Sequence, residues 1–109
     1  MQRIGMVIGV RPEKIEEYKR LHADVWPEVL AMISACNIKN YSIFLKEPEN
    51  LLFSFFEYHG TDYDADMAKM AADPKTQEWW SVCIPCQEAL STRQNGEWWA
   101  RMPEVFFHE

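Results

Sequence analysis

Cysteine is scarce in this chain. The three residues Cys36, Cys83 and Cys86 are odd in number and give no disulfide framework. Long apolar runs are also missing. No stretch approaches the ~20 residues that span a bilayer, and Met1 to Val10 lacks the pattern of an export signal. These absences point to a cytoplasmic protein with no membrane partner. Basic residues are few, 11 Lys and Arg against 17 Asp and Glu for a net charge of −6, and they stand singly. A nucleic-acid partner would want a basic patch. A phosphorylated or carboxylated substrate would want convergent Arg or Lys. The charge pattern leaves a neutral small molecule.

What is present fits one compact domain over residues 1–109, with 48% hydrophobic and 26% charged residues. Aromatic residues are abundant: five Trp, six Phe and four Tyr. Such side chains serve cores, interfaces and stacking surfaces alike.

Arg3 to Val10 alternates, with Ile4, Met6, Ile8 and Val10 on one face, which predicts a strand. Arg11-Pro12 opens a helix whose first turn carries Glu13, Glu16 and Glu17. Ile15, Tyr18, His22, Trp26, Val29 and Ile33 form one stripe along it. Pro27 interrupts that stripe, so a kink or a fresh helix start is expected there. Asn40 to Lys46 and Leu51 to Tyr58 read as a hairpin joined by Glu47-Pro48-Glu49-Asn50. Asp62 to Ala72 is helical in composition, and Asp73-Pro74 restarts a helix running towards Leu90. Ser91 to Gly96 is a loop, and Arg101 to Phe107 reads as the last strand.

The resulting order is β-α-β-β-α-β, an α+β, ferredoxin-like arrangement with an antiparallel sheet and helices on one face. Leu51 to Phe56 is apolar on both faces, and two helices cover only one. A second copy is the simplest cover for the other, so a homodimer of the dimeric α+β barrel type is expected.

His22 shares its face with Tyr18 and Trp26, four residues away on either side. Its ordinary pKa near 6.5 suits proton transfer in both directions; a buried histidine bonded to Tyr18 or a carbonyl is the plainer alternative. Tyr41 faces the first helix across the sheet and offers a hydroxyl, or else is a half-buried strand residue. Trp79-Trp80 offers the flat surface that apolar sugar faces prefer; adjacent helix positions differ by about 100°, so only one faces a pocket squarely, and the plainer alternative packs one in the core and the other at a dimer interface. Trp98-Trp99 is a second pair, able to cap a pocket or clamp a partner chain. Cys83-Ile84-Pro85-Cys86 has redox spacing, but no helix start follows a strand there, and no paired His completes a zinc site. Glu57 and Glu104 are bases only if buried.

Glu17 to His22 followed by Val25-Trp26-Pro27-Glu28 resembles the first-helix signature of the L-rhamnose mutarotase family. Asn40 to Leu45, Asn50 to Phe53, Trp79-Trp80 and Glu104 to Phe107 resemble that family's remaining blocks, while Cys83 to Arg101 falls outside them. The resemblance implies a dimeric ferredoxin-like fold and exchange of the α and β anomers of L-rhamnose. It implies His22 as proton donor, Tyr18, Tyr41, Trp79 and Trp80 around the sugar, and neither metal nor other cofactor. Rival readings keep the fold: a haem- or quinone-type monooxygenase with His22 as axial ligand, a non-catalytic binding module, or a thiol pair at Cys83 and Cys86.

Overall fold

The computed structural model describes residues 1–109. Alternating apolar residues lay down β1 (Gln2–Val10), whose residues Ile4, Ile8 and Val10 are buried. Pro12–Lys14 makes a 3₁₀ turn that feeds α1 (Ile15–Ala23). The chain does not kink at Pro27. It leaves the helix at Asp24 and starts afresh as α2 (Pro27–Ala35), with Trp26 in extended conformation at the N-cap and Pro27 at the first turn. Trp26 is therefore not on the face of α1 that carries Tyr18 and His22.

The hairpin is formed by β2 (Ile38–Lys46) and β3 (Leu51–Tyr58), longer at its start than the alternation from Asn40 indicates. The register slips between Lys39 and Ser42, a bulge containing Asn40 at φ 52° and Tyr41. Asp62 caps α3 (Tyr63–Ala72) by accepting from the Ala65 N–H, and Asp73 caps α4 (Pro74–Cys83) by accepting from that of Thr76.

Two expectations near the C-terminus need correction. The last helix does not reach Leu90. Pro85 removes a donor, Ile84–Cys86 tightens into a 3₁₀ turn, and β4 (Gln87–Glu88) pairs with Val10 and Gly9 of β1. Gly9 permits that pairing, because a Cβ there would lie 2.7 Å from the Glu88 carbonyl oxygen. The last strand, expected over Arg101 to Phe107, is only β5 (Ala100–Met102), antiparallel to β1. Pro103 cannot donate to a ladder, and the tail is held instead by Arg3, whose Nε donates to Glu104 at 2.8 Å and whose guanidinium lies 3.4 Å from the Phe107 ring centre.

The result is an α+β fold with a curled antiparallel sheet in the order β2-β3-β1-β4, β5 also pairing β1, and four helices. The helices pack on the face carrying Ile4, Ile8, Leu52 and Phe56. On the opposite face Phe44 lies beside Phe53 and is 64% exposed. No helix is long and apolar enough to cross a membrane.

Candidate active site

Between the helices and the sheet lies one large cavity of about 800 Å³. Tyr18, His22, Tyr41, Trp79 and Trp80 all line it, although they come from three different elements, α1, β2 and α4. Helical spacing brings the first two together: four residues apart on α1, their rings stack at 4.2 Å between centres and 16° between planes. Trp79 meets His22 edge-on at 5.3 Å. Trp26 does not line the cavity; it backs Trp79 edge-on at 5.2 Å, which makes it a support of the wall. Of the tryptophan pair, Trp79 is 6% exposed and belongs to a buried cluster with Val29 and Cys83, whereas Trp80 is half-buried.

His22 Nδ1 lies 2.9 Å from the Tyr18 carbonyl oxygen. A carbonyl only accepts, so Nδ1 carries the proton and donates. The neutral ring then presents an unprotonated Nε2, which has no partner within the protein. Burial lowers the His22 pKa below its ordinary 6.5, with the Tyr18 carbonyl opposing that shift. The imidazole is thus neutral and basic at cellular pH.

The two phenols behave in the opposite sense. Burial raises the Tyr18 pKa well beyond its ordinary value and pushes that of Tyr41 up to about 12. Tyr41 stands in the β2 bulge with its ring against Phe56 at 5.3 Å. Its residue surface is 42% exposed while the hydroxyl end is desolvated. Both hydroxyls stay protonated and remain hydrogen-bond donors.

No carboxylate lines the cavity, whose polar groups besides His22, Tyr18 and Tyr41 are Lys19, Ser54, Tyr63, Thr76, the Cys83 thiol and Gln87 with the tryptophan indoles. Glu57 is not a buried base: it accepts from Asn40 and pairs with His59. Glu104 is taken by Arg3. A wall of this composition suits an uncharged ligand with apolar faces and several hydroxyls.

Cys83 and Cys86 are free thiols, and Cys83 lines the cavity. Burial pushes the Cys83 thiol up to about 12 and raises that of Cys86 as well, so neither supplies a thiolate at neutral pH. No group of His, Cys, Asp and Glu comes together in a way that could hold a metal ion.

Sequence reasoning passed over Gln87, because a two-residue strand has no periodicity to reveal it. Trp98 and Trp99 are now placed: both line the cavity, and the Trp98 indole N–H donates to Gln87 Oε1 at 2.7 Å.

Comparison with known proteins places the chain by sequence and by fold. The family model described as L-rhamnose mutarotase matches residues 3–108, including the stretch from Cys83 to Arg101 that the motif blocks leave out. The L-rhamnose mutarotase of Oceanobacillus iheyensis is 34% identical over 91 residues, 84% of this chain and 85% of that protein. That of Listeria monocytogenes serovar 1/2a is 32% identical over 107 residues, 98% of each chain. Among solved structures, an L-rhamnose mutarotase from Formosa agariphila superposes with a TM-score of 0.80 at 23% identity, over 100% of both chains. Tetracenomycin F2 cyclase from Streptomyces glaucescens reaches 0.71 at 15%, over 100% of this chain and 97% of that one. At such identities the two structures speak for the fold alone.

Proposed function

The chain belongs to the L-rhamnose mutarotase family, and from that premise we propose that it exchanges the α and β anomers of L-rhamnose in the cavity around His22. The observation that carries the reading is the neutral imidazole of His22, anchored through Nδ1 and open at Nε2, facing a cavity with phenols and indoles and no carboxylate. The monooxygenase alternative has no observation in its favour.

In the mechanism, Nε2 of His22 takes the proton of the anomeric hydroxyl as the bond from C1 to the ring oxygen breaks. The resulting imidazolium returns that proton to the former ring oxygen. This leaves an open-chain hydroxy aldehyde. Rotation about C1–C2 presents the other carbonyl face, and the steps run backwards to the other anomer. His22 is thus base first and proton donor second, and the second step is the role that the family resemblance assigns to it. Tyr18 and Tyr41 donate to sugar oxygens, and Trp79 and Trp80 pack on the apolar face of the ring. The balance closes with no cofactor.

Saturation transfer between the two anomeric proton signals of L-rhamnose tests this. Added protein is expected to accelerate the exchange well beyond the buffer rate, with other aldoses as controls. Absence of acceleration for L-rhamnose overturns the reading.

A pH dependence follows from the His22 shift. Only the neutral imidazole begins the reaction, so activity is full above the folded-state pKa and falls as pH drops through it. Because that pKa lies below 6.5, the acid limb is expected below 6.5. Tyr18, Tyr41 and Cys83, which share the cavity, titrate far above this range. Exchange rates from pH 4.5 to 8 check it, and an acid limb above 6.5 contradicts it.

The finer architecture belongs to the same proposal. Residues 1–109 form one ferredoxin-like domain, a reading supported by the strand order β2-β3-β1-β4 with helices on one face. The exposed Phe44 and its neighbour Phe53 support a homodimer that buries the open sheet face. Sedimentation at micromolar concentration is expected to give twice the 12.9 kDa chain mass, and Phe44→Glu to give the chain mass. A monomeric wild type contradicts the dimer. The cytoplasmic setting expected in the sequence analysis belongs to the same proposal.

A further inference from the structure

Gln87 is a buried amide, 6% exposed, on the two-residue strand β4. Burying such a group is unfavourable unless both its ends are bonded, and here both are. Oε1 accepts from the Trp98 indole N–H at 2.7 Å, and Nε2 lies 3.2 Å from the Tyr18 hydroxyl. The indole can only donate, so the amide orientation is fixed: its oxygen faces Trp98 and its nitrogen faces Tyr18. The amide nitrogen can only donate in turn. The Tyr18 oxygen must therefore accept, and its own proton must point elsewhere. Tyr18 has no other side-chain or backbone partner for that hydroxyl, and the residue lines the cavity.

On this geometry, and resting on the functional reading above, we infer that Gln87 is a positioning residue for the reaction, aiming the Tyr18 hydroxyl proton into the cavity as a donor to a sugar oxygen. Trp98 holds Gln87 in the required orientation. The chain of donors runs from the last loop through β4 to α1, and it ends one stacked ring away from His22. Short backbone pairing of Gln87 with Val10 fixes where the amide begins. A glutamine with no hydrogen-bonding duty could be exchanged for any side chain of its size. This one selects which of two directions a phenol points.

The variant that separates aim from packing is Gln87→Glu, which keeps shape and the Trp98 bond. An ionised carboxylate only accepts, so the Tyr18 hydroxyl would turn to donate into it and be withdrawn from the sugar. Anomer exchange is expected to fall about tenfold or more in Gln87→Glu, yet by no more than about twofold when the same change is made on Tyr18→Phe, since the two residues act as one unit. Gln87→Met, of similar length and without polar atoms, serves as the second variant. It is expected to show an intermediate loss and the same non-additivity. A purely structural role would make the losses multiply, and multiplicative losses overturn the inference. Wild-type exchange is measured in the same series. If the wild type itself accelerates no exchange, the functional reading fails and this inference falls with it; an active wild type with losses that multiply overturns the inference alone.

Discussion

Replacing His22 with alanine is expected to cut the catalysed exchange of L-rhamnose anomers by about 100-fold or more, the lower range for losing a positioned acid–base group. The expectation follows from the cavity inventory. No carboxylate lines the wall, and burial raises the pKa of its three phenols, Tyr18, Tyr41 and Tyr63, and of the Cys83 thiol. With His22 gone, neither a carboxylate nor a phenol or thiol of low pKa stands in its place to take the proton. The fold should survive. His22 is half-buried near the end of α1, and its removal loses one hydrogen bond to the Tyr18 carbonyl and a stacked contact. The first costs about 1 kcal/mol, partly offset by the better helix propensity of alanine. Saturation transfer on a variant with unchanged circular dichroism is the check, and retention of wild-type exchange would remove His22 from the mechanism.

Trp79→Ala is expected to act on stability as strongly as on activity. Trp79 is 6% exposed, sits in the cluster with Val29 and Cys83, and has edge contacts to both His22 and Trp26. Truncating a buried tryptophan costs about 3–5 kcal/mol, a large share of the roughly 5–15 kcal/mol that holds a domain together. The thermal midpoint should fall by about 10 °C or more. Activity should be lost below that midpoint too, because His22 loses the indole edge that fixes its ring. Trp80→Ala, at a half-buried position, should lower the midpoint by clearly less while weakening sugar binding. A thermal scan of the two variants decides it. Equal midpoints would mean that the two indoles share the core evenly.

Much of this architecture was legible in the sequence because it is periodic. The alternation of Ile4, Met6, Ile8 and Val10 specifies a strand with one helix-facing side, and Asp62 and Asp73 mark helix starts through their capping oxygens. The contact between Tyr18 and His22 follows from four-residue spacing alone. Trp26 shows the limit of that rule, since Pro27 at the start of α2 broke the stripe and placed its ring behind Trp79. The C-terminal third was harder to read. Cys83 to Gln87 looks helical in composition, but Pro85 turns the chain into a strand of two residues, too short to show any period. Gln87 was invisible for that reason, and the place of Trp98 depended on it. Glu104 looked like a candidate base until the position of Arg3 was known, because ion pairing across 101 residues of chain leaves no local trace.

The account rests on a neutral His22 with its proton on Nδ1 and its lone pair on Nε2. Nitrogen NMR of the His22 ring across pH tests that most directly, with anomer exchange of L-rhamnose followed in the same samples. The predicted result is an Nδ1–H tautomer titrating below 6.5 together with the acid limb of the exchange rate. An Nε2–H tautomer, or a titration at or above 6.5 with the exchange rate indifferent to it, would contradict it.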